Sequence, residues 1–261
     1  MNYRPFDPSF LLQSIPALLP YLQITLFVGI SSIVFGSIFG ILLTKAKLSS
    51  IGPLRWLAQG YTYVMRCTPS IVLLFIVFYG LPKLVDGLFN YQIDDWDRSV
   101  FAIITFVLLF GAYVSEVFRS AYLAVPRGQY EAAVSIGLTP LQAVIQVVIP
   151  QAMIIALPNF GNSVINLLKE GALAYTIGLI DLIGKGNLII SQNFGAYAIE
   201  IYLACMFIYW VMALLIEKVF FIIEKRLDKG QTLKTVQTVK QDKKRARLFL
   251  IKGVKFHGPG S

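Results

Sequence analysis

The stretch that decides the fold is residues 126–158, PRGQYEAAVSIGLTPLQAVIQVVIPQAMIIALP. Its only charges, Arg127 and Glu131, stand at its start, and Gly and Pro punctuate it too often for a plain membrane span. Glu131-Ala132-Ala133 opens a helix that ends near Gly137, where a residue without Cβ adopts left-handed C-terminal geometry. Thr139 is then a good N-cap, and Pro140 suits a first helical position because its missing N–H is an orphan there anyway. The sequence predicts two short helices meeting at an angle.

On both sides of this hairpin the chain is membrane-like. It is 56% hydrophobic and only 14% charged, against roughly 25% charged in soluble domains. Residues 18–44 carry no charge over 27 positions, more than the ~20 a spanning helix needs; Gly29, Gly36 and Gly40 on it suit close helix contact. Lys45, Lys47 and Arg55 follow, which places that end in the cytoplasm and the N-terminus outside. A second span is expected over 56–82, broken at Arg66, Thr68 and Pro69, with an exterior loop over 83–98 that holds Asp86, Asp94, Asp95 and Asp97. A third covers 99–123, with Glu116 and Arg119 spaced to pair on one helix face. From about Met153 a fourth re-enters the membrane, interrupted at Pro158, Gly161 and Gly171. A short outer segment over 181–192 and a last span over 197–223 complete the body. Residues 1–17 are expected to lie along the outer surface.

The net charge of +9 does not point to nucleic acid. Residues 225–257 hold 11 Lys/Arg against two Asp, so the rest of the chain is neutral and the excess is one tail. A basic tail after a last span suits cytoplasmic, anionic lipid. Residues 258–261 read as an expression scar. Cys67 and Cys205, both in apolar runs, read as small buried hydrophobes rather than a disulfide. His257 is the only histidine, which excludes a Ser-His-Asp triad or a His-based zinc cluster in the apolar body. No G-x-x-x-x-G-K-[ST] run occurs, so this chain holds no nucleotide by a P-loop, and any ATP chemistry must belong to a partner.

The hairpin also carries a resemblance. Glu131, Ala132, Ala133, Gly137, Ile149 and Pro150 match the pattern of the EAA-loop permeases of binding-protein-dependent ABC importers, polar amino-acid branch. RCTPSIVLLFIVFYGLP (66–82), GAYVSEVFRSAYLAVPRGQYEAA (111–133) and LPNFGNSVINLLKEGALAYTIG (157–178) are similar to that branch too, and the likeness extends over about 18–223. The chain departs from it at Cys67 and at Lys169-Glu170-Gly171-Ala172-Leu173. The resemblance implies an all-α membrane protein of the type I ABC importer class, with about five transmembrane helices over 18–224 and a cytoplasmic coupling hairpin within 126–150. It implies that the hairpin, through Glu131, Ala132, Ala133, Gly137, Thr139 and Pro140, docks on an ATPase subunit. Two such subunits, with their ATP and Mg, a second permease copy and an external solute-binding protein would complete the machine. No cofactor is expected on this chain.

For the solute, Asn162, Asn166, Lys169 and Glu170 share one side of a helix. One acid, one base and neutral amides match an amino-acid zwitterion, and favour a zwitterionic or sulfur-containing one. The same Lys and Glu could instead steady the broken helix or a dimer seam. Thr68 and Ser70 are further contacts, because Pro69 opens the helix beside them. Arg66, Glu116 and Arg119 are structural or gating charges, with Arg66 able to anchor Glu116. Two other classes stay open: an ion-coupled secondary carrier using Glu116, Lys169 and Glu170, and a membrane scaffold whose hairpin recruits a partner.

Overall fold

The structure, a computed structural model, describes residues 6–228, and every regular element among them is helical. Most of the tail expected over 225–257, and all of 258–261, lies outside the described residues.

Helix α1 (Pro8–Leu18) is started by Asp7, whose carboxylate accepts the Ser9 and Phe10 N–H groups, with Pro8 at the first position. A single 3₁₀ turn, Leu19–Tyr21, leads into α2 (Leu22–Lys47). The segment expected along the outer surface is therefore a helix, packed by a Phe10–Tyr197 ring stack and a 3.0 Å hydrogen bond from the Asp7 N–H to Glu200. Among the described residues five helical segments are long and apolar enough to cross a membrane: Pro8–Lys47, Ser70–Phe89, Arg98–Ala124, Pro140–Ile177 and Ala198–Leu227.

The expected span over 56–82 is redistributed. Helix α3 (Gly52–Cys67) is amphipathic. It stops where Thr68 turns extended, because a residue before proline is pushed out of the helical region. The apolar portion comes after the break as α4 (Ser70–Phe75), a π-turn at Ile76–Gly80 and α5 (Leu81–Phe89), closed by Asn90 in the left-handed region. The helix thus invades the expected loop by seven residues, and Cys67, expected to be buried, is exposed at the break.

Helix α6 (Arg98–Ala124), capped by Asp97, is the most enclosed span and lies against α2 at backbone distance. A Cβ added to Gly40 would stand 3.2 Å from the Gly111 carbonyl oxygen, and one on Gly111 would stand 3.3 Å from that of Gly36. Phe101, Phe106, Leu109 and Phe110 of α6 form the centre of the core with Leu73, Leu74, Leu167 and Leu168.

After α7 (Arg127–Ser135) and α8 (Pro140–Ala143), a π-turn at Val144–Val148 leads directly into α9 (Ile149–Gly171). Here the structure corrects the sequence. Pro158 and Gly161 do not interrupt α9, because packing outweighs local propensity: Gly161 makes room for the Phe220 ring, which a Cβ would meet at 3.0 Å. The helix changes only at Gly171, into a 3₁₀ segment, Ala172–Ile177. Helix α10 (Leu182–Gln192) is capped by Asp181, and α11 (Ala198–Asp228) is the last span.

Candidate functional site

The hairpin has the geometry its sequence predicts. Gly137 sits at φ +98°, and the Gly137 and Leu138 N–H groups donate to the Val134 and Ala133 carbonyls at 3.0 and 3.2 Å, the paired bonds that close a helix on a left-handed residue. Thr139 then caps α8 reciprocally with Gln142: the Gln142 N–H donates to Thr139 Oγ1, and the Thr139 N–H donates to Gln142 Oε1 at 2.9 Å. Val125, Val148 and Ala152, packed with Tyr122 and Tyr130, fix the hairpin to the end of the bundle, and Ala133 is buried there.

What the hairpin shows to its surroundings differs from expectation. Ala132, Thr139 and Pro140 are exposed as expected of a docking surface, but its largest apolar groups are Ile136 and Leu141, 82% and 69% exposed. Sequence reasoning passed over both because each reads as one more aliphatic in an apolar run. Glu131 does not bind the hairpin's own N–H groups. Helix α7 begins at Arg127, which puts Glu131 in its second turn, beyond the unpaired donors. Its side chain is exposed and makes no hydrogen bond among the described residues.

A second group of residues meets at a cavity that opens on the flank of the bundle. Asn166, Lys169 and Glu170 of α9, with Ser163, face Leu109, Phe110 and Tyr113 of α6 across a cavity of about 260 Å³. Glu170 is half-buried, and neither Lys169 nor Glu170 forms an ion pair among the described residues. Three of the four predicted α9 residues thus line one cavity. Asn162 does not line it and is exposed, in a polar stripe with Asn159, Asn166 and Lys169. Thr68 and Ser70 do not line it either, and the Thr68 hydroxyl is spent on the Val64 carbonyl at 2.8 Å. The helix break reaches the site's edge by Arg66 instead, whose guanidinium stands 5.7 Å from the centroid of the Tyr113 ring. Tyr113 was missed; its place on the Glu116 helix was the available signal.

The third group is ionic. Glu116 and Arg119 pair as their spacing predicts, at 3.0 Å. Arg66 does not anchor Glu116, whose other oxygen takes Lys47 Nζ at 2.8 Å. Lys47, one of the three bases that mark the cytoplasmic end in the sequence, is the last residue of α2, and its side chain is fully buried.

These arrangements were compared with known proteins. Residues 32–229 match the family described as binding-protein-dependent transport system inner membrane component. The L-cystine transport system permease protein TcyL of Bacillus subtilis is 38% identical over 229 residues, 88% of this chain and 95% of the relative. A second L-cystine permease protein of that organism, TcyB, is 37% identical over 77% of this chain and 82% of its own. Among solved structures, a chain from the crystal structure of an amino acid ABC transporter with histidines superposes with a TM-score of 0.74 at 31% identity, over 85% of this chain and 100% of the other.

Proposed function

Since the chain belongs to the inner-membrane component family of binding-protein-dependent transport systems, we propose that it forms the translocation path of an ATP-driven amino-acid importer, with L-cystine as its cargo. The observation that carries this reading is Glu170: a carboxylate half-buried inside a span, on a cavity, without an ion-pair partner among the described residues. Ionisable groups within a membrane-spanning helix are costly and persist where they meet a solute or a partner. Glu170 receives the ammonium of the amino acid and Lys169 its carboxylate, while Asn166 and Tyr113 border the site. The relatives that bear cystine in their names point to that amino acid among the zwitterions.

The path needs a second permease copy. Asn159, Asn162, Asn166 and Lys169 form an exposed polar stripe on a membrane-spanning helix, which lipid does not solvate. A copy facing this stripe covers it and turns it into the wall of a passage. The hairpin, at the same end of the bundle as Lys45 and Arg55, lies in the cytoplasm, and Asp94, Asp95 and the N-terminus lie outside. Two ATPase subunits, which carry the ATP and Mg, dock on Ile136 and Leu141, and a solute-binding protein delivers cargo from outside.

The test is reconstitution of the chain in proteoliposomes with its ATPase subunits and loaded solute-binding protein, across cystine, arginine, glutamine and histidine. Cystine-loaded binding protein is expected to raise ATP hydrolysis and to drive uptake. The Glu170→Gln variant should cut uptake about tenfold or more, the worth of one charge-assisted hydrogen bond, without changing basal hydrolysis. Hydrolysis indifferent to every loaded protein would refute the importer, and full uptake by Glu170→Gln would refute the site.

A further inference from the structure

We infer that Lys47 and Glu116 lock α2 to α6, so that a displacement of the hairpin by the ATPase reaches two spans as one body; Lys47 is thereby a positioning residue for energy coupling. The inference rests on the reading of α7–α8 as the docking hairpin.

Helix α6 ends at Ala124 and α7 begins at Arg127, so a push on the hairpin arrives on α6 with only two residues between them. Two turns back along α6, Glu116 Oε1 accepts from Lys47 Nζ at 2.8 Å and Oε2 accepts from Arg119 Nε at 3.0 Å. Lys47 Nζ also donates to Ser115 Oγ at 2.7 Å, and the Ser115 hydroxyl passes on to the Ala112 carbonyl at 2.7 Å. One turn earlier on α2, Thr44 Oγ1 lies 3.0 Å from the Ser115 carbonyl oxygen. Backbones at Gly36, Gly40 and Gly111 touch beneath this network.

Such a contact resists sliding. A shift of one turn, about 5.4 Å, would strand a buried ammonium without its carboxylate, which buried ion pairs tolerate poorly. The contact of α6 with α9 and α11 is of another kind. Phe118 stacks on Phe160 and Phe160 meets Phe220 edge-on, and apolar rings of this sort repack without leaving a charge behind. Among the described residues no other two spans are joined by an ion pair. A push on the hairpin also reaches α9 directly through the π-turn at Val144–Val148, and the lock is what adds α2 to the elements that move with α6.

Lys47→Met keeps length and apolar bulk and leaves Glu116 paired with Arg119. In proteoliposomes with the ATPase subunits and binding protein, this variant is expected to assemble and hydrolyse ATP at the wild-type rate. It should move at least tenfold less solute per ATP, and Lys47→Arg should recover most of that ratio. A disulfide between Thr44→Cys and Ser115→Cys, in a chain with Cys67→Ser and Cys205→Ala, should leave uptake intact with Lys47 present and restore it to the Lys47→Met chain. An unchanged solute-to-ATP ratio in Lys47→Met would overturn the lock. So would uptake abolished by the disulfide and regained on reduction, since that would require α2 and α6 to part during transport. Leu141→Glu separates the two readings: if it leaves uptake intact while Lys47→Met uncouples, the docking face is misplaced and the lock stands.

Discussion

Replacing Gly137 by alanine isolates the backbone of the hairpin from everything around it. A Cβ at this position would find no heavy atom within 4 Å, so the substitution introduces no clash. What it introduces is a side chain at φ +98°, where an L-residue pays roughly 1–2 kcal/mol. That energy opposes the two hydrogen bonds from Gly137 and Leu138 that close α7, and it corresponds to a roughly 5- to 30-fold fall in the ratio of hairpins held in docking geometry to those that are not. Uptake in the reconstituted complex should fall by up to that factor, while the protein still extracts and elutes as folded material, since the core is untouched. Gly137→Asp should uncouple hydrolysis from uptake for the same reason. Gly128 is the internal control: it lies inside α7 without positive φ or near neighbours, so Gly128→Ala removes a flexible residue from a helix and should be neutral or stabilising by up to about 1 kcal/mol. If Gly137→Ala transports as well as wild type, or if Gly128→Ala impairs uptake equally, the left-handed turn is not what sets the docking angle.

Two further outcomes follow from buried positions. Asp181 is 1% exposed, and burial pushes its carboxyl from 3.8 up to about 6. The folded state then binds the proton more tightly than the unfolded chain, so stability should be greatest below about pH 4, decline as pH rises to about 6, and stay level above. The full span is at most about 3 kcal/mol. Thermal unfolding in detergent at pH 4.5 and 7.5 captures about two thirds of it, and Asp181→Asn, which keeps an acceptor for the Gly184 N–H, should remove that contribution to the slope. At the other buried position, Gly111→Val would press a Cβ to 2.5 Å from the Phe39 ring and 3.3 Å from the Gly36 carbonyl. It should destabilise the α2–α6 contact by about 1–3 kcal/mol, read as a lower midpoint of thermal inactivation; the same change at Gly60, which has open space, should not.

The parts legible in sequence were those whose cause is local. Gly137, Thr139 and Pro140 announce a helix end and a helix start through their own backbone preferences, and the structure realises both. Gly36 and Gly40 signalled a close helix neighbour for the same reason, though not which helix. Reading failed where a remote partner decides. Pro158 and Gly161 look like breaks, yet Phe220 packs into the space at Gly161 and α9 continues. Lys47 looks like one of the bases that mark the cytoplasmic end, but α6 offers it a carboxylate and a hydroxyl. Thr68 looked like a ligand contact, and its hydroxyl turns back onto its own helix. Of the cavity, Asn166, Lys169 and Glu170 were visible as a face of one helix, whereas Tyr113 belongs to another span that no spacing rule ties to them.

The π-turn at Val144–Val148 separates two orientations that a regular helix would join. Each residue of an α-helix advances about 100° around the axis, and a π-turn holds one residue more than the turn it replaces. Everything before it is rotated by about that angle against the register after it. The direction in which Leu141 points is consequently offset by that angle from the one a regular helix would give it relative to Asn166 and Glu170, although one unbroken helical path connects them. A sequence change confined to these five residues can re-aim the surface offered to a partner and leave the wall offered to the solute as it was.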